Sequence, residues 1–273
     1  MKKTFQVIIK KLFLFILLGC LFLFNFSCGL DNFEVFESPE QVIHLPEASR
    51  QNVSFDEAFF EFFTNEPTVP YSTITFLGTD VYYKIYNSFT QLEAEIQTLN
   101  SLATSTENSN NAFNKMADSD LQNSTSGYGY KRLIAEGYES REILIPYTGR
   151  NQDIKIRLSD YGSILDYASR IMVDDGNYFD STSVVKPIRN VSLEENKTVS
   201  FNFGRYEDEI VGGRNVYNGT DGDVRNSSDS SVVPGEWYVA MYAVAVARGM
   251  DWGHQYSNIL YLGNVKITTA KDN

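Results

Sequence analysis

The side chains in this sequence able to do chemistry are two thiols (Cys20, Cys28), two imidazoles (His44, His254) and 35 carboxylates. Two cysteines and two histidines are too few for a disulfide framework or a Cys/His zinc site. Phosphate-cradling G-x-x-x-x-G-K and nucleophile-elbow G-x-S-x-G patterns are absent. Ser183-Val184-Val185-Lys186 spells S-x-x-K, but 25 Ser and 12 Lys produce such a match by chance, and no S-D-N or K-T-G accompanies it. His254 lies in a Trp-Gly-His turn between expected strands, where an exposed or capping role is the plainer reading. Acid pairs such as Asp174/Asp175 and Glu207/Asp208/Glu209 could serve glycoside cleavage, which needs two carboxyls facing each other across a cleft. Solvated turns are the plainer reading of such pairs in so acidic a chain.

Calcium is the more reasonable ion. Asp221-Gly222-Asp223, with Asp229 beyond, offers hard oxygen ligands on a glycine-containing loop. The loop is not an EF-hand, since Arg225 holds the fifth position and Val232 the twelfth; a solvated loop is the competing account, and no cofactor is implied. Aromatic residues beside turn signals (Trp252, Tyr256, Tyr128, Tyr130 and Tyr71) are candidates for exposed recognition side chains. Most of the other aromatics must fill a core.

Charge narrows the partners. The chain has 23 basic and 35 acidic residues, and four of the lysines lie at positions 2, 3, 10 and 11. The remainder holds 19 basic against 35 acidic residues, a net −16. Such a body repels phosphate backbones, so nucleic acid is not an expected partner.

The first thirty residues carry an address. A basic segment is followed by an apolar run at 12–26, then Ser27-Cys28-Gly29, with the first acid at Asp31. This order is that of an export signal, and a cysteine at the end of the run resembles a bacterial lipoprotein signal peptide. In that family the thiol receives diacylglyceryl and a peptidase cuts just before it. Leu17-Leu18-Gly19-Cys20 matches the family's cleavage box better, but it strands Leu21-Phe22-Leu23-Phe24 on the mature end. Cys28 uses the whole apolar run and is preferred, with Cys20 the second candidate. An uncleaved anchor over 12–30 is the alternative. The resemblance implies a signal peptide at 1–27, a lipidated cysteine and tether at 28–50, and an exported body. That body would be held to a membrane of the bacterial cell envelope by its N-terminal lipid, facing the periplasm or the cell surface.

The body reads as strands. Period-two alternation at 153–160 and 198–204, and β-branched or aromatic runs at 41–45, 81–86, 141–145, 170–173, 237–247 and 259–267, are bounded by Gly, Asn, Asp and Pro. Residues 54–64 fit a helix through Phe55, Ala58, Phe59, Phe62 and Phe63, with Ser54 and Glu57 as a cap, but the short aromatic run stopped by Asn65 and Pro67 favours a strand. Residues 90–103 have helical spacing, and Thr90 with Glu93 forms a capping box. Polar stretches at 104–111 and 122–127 and the glycine-containing 211–231 read as loops. Pro234-Gly235-Glu236-Trp237-Tyr238-Val239-Ala240-Met241-Tyr242, the expected strand at 257–267, and 80–86 resemble strands of a fibronectin type III domain, with 60–64 as a second strand. The resemblance assigns Tyr238 to a buried corner whose hydroxyl bonds back to the preceding turn.

These readings give an all-β, mainly antiparallel, fibronectin type III or immunoglobulin-like sandwich over 51–273. Large insertions lie near 88–130, helical in part, and 131–231. The function expected is a non-catalytic binding or structural module that meets a protein or glycan through its sandwich loops. An envelope carbohydrate hydrolase using paired carboxylates is the first alternative. A solute-binding lipoprotein is the second, disfavoured by a single expected helix.

Overall fold

A computed structural model describes residues 36–47, 57–104, 109–117, 127–158, 168–191, 200–201 and 221–268. In chain order these form β1 (Glu40–His44), β2 (Phe60–Phe63), β3 (Thr75–Tyr86), α1 (Phe89–Ala103) and α2 (Ser109–Met116). Short strands follow: β4 (Lys131–Arg132), β5 (Ile134–Ala135), β6 (Ile145–Pro146), β7 (Asp153–Arg157), β8 (Arg170–Val173), β9 (Gly176–Asn177), β10 (Pro187–Ile188) and β11 (Val224–Arg225). The described chain closes with β12 (Glu236–Arg248), β13 (His254–Tyr256) and β14 (Leu260–Thr268).

β3 and β12 are the longest strands, and they pair antiparallel from Tyr86 against Tyr238 to Thr75 against Arg248. β14 and β13 line the far edge of β12, while β4, β6 and β11 share the outer edge of β3. Of these pairings only β11 with β3 is parallel. A second, antiparallel sheet runs β1-β2-β7-β8-β9, and β5 with β10 forms a separate ribbon. Successive residues of a strand face opposite sides. One side of the β3–β12 pair presents Val81, Tyr83, Ile85, Val239 and Met241, which pack on Phe60, Phe62, Ile154, Ile156 and Ile171 of the second sheet. This is the sandwich core. Each such side chain withdrawn from water contributes about 1.5–3 kcal/mol.

The opposite side presents Tyr82, Tyr86, Tyr238, Ala240, Tyr242 and Val244, and the helices cover it through Leu92, Leu99, Ala112, Phe113 and Met116. The architecture is an all-β, mainly antiparallel sandwich with a helical insertion, and that insertion forms a third layer. Two-sided cover is why β12 reads as an almost unbroken apolar run rather than an alternating one.

The segments behind the fibronectin resemblance are strands, and β3, β12 and β14 lie side by side in that order. The Tyr238 ring is buried and its hydroxyl donates to Glu236 Oε2 at 3.1 Å, on the strand itself. The start of α1 differs from the capping-box expectation: Ser88 is the cap, its Oγ accepting from Gln91 N–H at 3.1 Å. α2 begins inside the 104–111 stretch expected as loop; Ala112, Phe113 and Met116 give it a narrow apolar stripe. In 141–145 only Ile145 is strand. Its carbonyl lies so near Gly78 (φ +141°) that a Cβ there would stand 2.1 Å away. The expected leader at 1–27, Cys20, Cys28, most of 198–204 and the acids at 207–209 lie outside the described residues. No helix among the described residues is long and apolar enough to cross a membrane.

Candidate functional site at the hairpin end of the sandwich

At one end of the sandwich β3 begins, β12 finishes, and residues 249–253 turn the chain into β13, with Arg248 paired to His254. The loop is stiffened from within. Gly249 N–H donates to Gly253 O (2.9 Å), Trp252 N–H to Gly249 O (3.1 Å), and Gly253 N–H to Asp251 Oδ1 (3.0 Å). Trp252 is held at φ +66°, a conformation costly for a bulky side chain. Its ring is 79% exposed and Met250 is 80% exposed. Fold stability does not account for an apolar pair placed this way. The Arg248 guanidinium lies 5.8 Å from the indole.

Two neighbouring loops rim the same end. Val69, 71% exposed, lies in the loop leading to β3, and Tyr147, 43% exposed, sits edge-on to Phe76 at 5.4 Å. Met250, Trp252 and Val69 are the most exposed large hydrophobic residues among those described. Buried Glu66 ties the two loops together, accepting from Arg150 N–H at 2.6 Å while its own N–H donates to Asn151 Oδ1. Phe36 packs beneath this end in a cluster with Phe76, Tyr71, Ala245 and Ala247.

A polar clasp lies behind the hairpin. Glu142 Oε1 accepts from His254 Nε2 (2.8 Å) and from Arg248 Nη2. These two hydrogen bonds, that from Arg248 first, hold the Glu142 carboxyl below its usual range. Asp80, 3% exposed, accepts from Leu144 N–H at 2.8 Å and faces Arg132 at 3.6 Å. Burial pushes its carboxyl up to about 6, and Arg132 only partly offsets this. Arg132 donates onward to the Glu142 and Arg141 carbonyls. The clasp therefore fixes the base of the hairpin to the 141–144 turn.

The other sequence candidates fall in three places. Of the five aromatic candidates, only Trp252 is exposed, and Tyr71 is half-buried. Tyr256 is half-buried and stacked on Phe113 at 3.8 Å; Tyr128 is half-buried under Lys115 Nζ at 4.6 Å. Tyr130 corrects the expectation of an exposed binding residue: it is 1% exposed, with Tyr86 Oη at 3.0 Å. The tyrosine face needed that ring beneath the helices.

The acidic loop is corrected as well. Buried Asp223 accepts from Arg189 Nε (2.8 Å) and Nη2 (2.7 Å) and from the Tyr83 hydroxyl (2.8 Å). Asp221 takes a further Arg189 contact at 2.9 Å. Asp229 belongs to a separate set, the Ser88, Ser227 and Ser231 hydroxyls at the start of α1, which hold its carboxyl well below the usual range. A guanidinium thus stands where a calcium ion would have sat. Glu61, Asp153 and Asp175 do bring oxygens within 4.8 Å of one another, and Lys155 Nζ, 2.9 Å from Glu61 and 3.4 Å from Asp175, offsets part of their charge.

The third group is structural. Asp174 and Asp175, both at positive φ, form the two-residue turn between β8 and β9. His44 stacks on Phe59, and its Nε2 lies 2.8 Å from Glu57 O. Ser183 sits in an exposed turn closed on Ser181 Oγ. Met250, Val69 and Arg189 were not singled out from sequence. An apolar pair two residues apart inside a glycine-bounded turn was the available signal for Met250. No family model, curated protein or solved structure matches the chain.

Proposed function

We propose that this chain is an exported, non-catalytic binding module of the bacterial cell envelope, tethered through an acylated Cys28. It meets a macromolecular surface through the hairpin end of its sandwich. The observation that carries the reading is the exposed Met250–Trp252 pair on an internally bonded loop, with Trp252 in a strained conformation that packing does not repay. The basic, apolar, cysteine order of the leader supports export and tethering, and the fibronectin-like strand segments support a binding role. Mass spectrometry of the mature N-terminal peptide tests the tether. An acylated Cys28 is expected, and an unmodified peptide beginning at Met1 or Lys2 overturns it.

A second reading, an envelope carbohydrate hydrolase, draws on one observation. Asp80 is an acid whose ionisation burial pushes up to about 6, in the same clasp as Glu142. It requires that Asp80→Asn abolish glycan hydrolysis by the purified chain. A chain inactive on the same glycans before substitution rejects this reading.

A further inference from the structure

We propose that the surface met by Met250 and Trp252 is the lipid bilayer that holds the anchor, so that the sandwich stands on the membrane by its hairpin end. The inference rests on the tethering of Cys28 proposed above. Its first support is the position of Phe36. Phe36 is packed at the hairpin end, against Phe76 and Ala247, one residue before Arg248. Only seven residues lie between it and Cys28, eight steps that span at most about 29 Å of fully extended chain. A lipid on that thiol keeps this end of the sandwich, rather than the opposite one, beside the headgroups.

Chemistry gives the second support. Indole and phenol rings favour the membrane–water boundary, and an unbranched methionine adapts to disordered acyl chains. Trp252, Tyr147, Met250 and Val69 supply those types. Charge complements this arrangement in the negative: a body near −16 gains nothing from an anionic membrane, so contact must be local and apolar. Two or more acyl chains hold the protein at the surface. The hairpin then binds at the high effective concentration its tether creates, and sets orientation rather than affinity.

The test uses the full lipidated chain carrying Trp237→Phe, which leaves Trp252 as its only tryptophan, on phosphatidylcholine vesicles with or without brominated acyl chains. The inference expects the chain to float with the vesicles, its indole emission to shift to the blue, and brominated lipid to remove most of the intensity. Met250→Cys in the otherwise unaltered chain, labelled at the thiol with an environment-sensitive dye, gives the same reading without touching Trp237. A chain that floats while Trp252 and the dye stay in water overturns the membrane contact, leaves the tether standing, and frees the hairpin for a protein or glycan. A chain that fails to float and carries no acyl group on Cys28 overturns the tether and this inference with it. Vesicles containing phosphatidylglycerol should give the same or weaker quenching; quenching only with the anionic lipid contradicts an apolar contact.

Discussion

The two ends of the β3–β12 pair solve opposite problems with opposite residues. At the cap end, where α1 begins, polar groups bond to one another: Arg189 and Asp223 are buried against Tyr83, and the Ser88, Ser227 and Ser231 hydroxyls hold the exposed Asp229. At the hairpin end, apolar groups turn outward on a loop whose polar backbone is already satisfied within itself. The cap end therefore spends its chemistry on holding distant parts of the chain together. Asp229 and Ser88 are 141 residues apart, and Arg189 and Asp223 are 34 apart. The hairpin end keeps its chemistry for something outside the molecule.

Arg189→Met is the sharpest way to break that contrast. It strands the fully buried Asp223 carboxylate, and removal of one partner from a buried pair costs about 3–5 kcal/mol. Urea denaturation should show this as a lowered midpoint with little change in slope, and a loss under about 1 kcal/mol would mean that the cap end is not held by this pair.

The next effect belongs to the clasp behind the hairpin. Because the folded Asp80 carboxyl titrates near 6 and the unfolded one near 3.8, the folded chain binds the extra proton between those values. Stability falls as pH rises through that window, by on the order of 3 kcal/mol once the group is fully ionised. Asp80→Asn has no such proton. Its stability relative to the parent should therefore rise from pH 4 to pH 7, and parallel stability curves would show that Asp80 does not feel its burial.

Smaller changes separate the helix caps. Ser88→Ala removes the hydroxyl that accepts from Gln91 and should cost about 1 kcal/mol, whereas Thr90→Ala should cost less than about 0.5 kcal/mol in thermal unfolding. Equal losses would restore Thr90 as the cap.

The smallest effect is expected at Trp252. Trp252→Gly relieves a left-handed tryptophan but adds chain entropy to the unfolded state, leaving stability within about 0.5 kcal/mol of the parent. A loss of more than about 2 kcal/mol would make the indole part of the fold rather than a recognition group.

How much of this the amino-acid order reveals depends on how local the cause is. β7, β8 and the long β3 and β12 are legible because alternation and β-branching are properties of neighbouring residues. α1 is legible for the same reason, but its role is not. Residues 237–247 carry almost no polar side chain on either face, which signals cover on both sides, and that cover is the helical layer rather than a peripheral insertion. α2 escapes notice because Asn110, Asn111 and Asn114 dilute a stripe of only three apolar residues. Tyr130 is misplaced by its adjoining glycine, which promised a turn and hence exposure, whereas the residue enters the tyrosine layer. The acid run at 221–229 looks like a ligand set only until Arg189 and Ser88 arrive from elsewhere in the chain. Trp252 is legible because the glycine on its carboxyl side and the strands around it mark a hairpin tip.

The account's central claim, that one end of this sandwich is built for an outside surface and the other for itself, is tested most directly by hydroxyl-radical footprinting. Labelling of the lipidated chain on vesicles is compared with that of a Cys28→Ser chain free in solution. Met250 and Trp252 should lose most of their labelling on the vesicles while Val233, exposed at the cap end, keeps its rate. Unchanged labelling of Met250 and Trp252, or protection of Val233 instead, would contradict it.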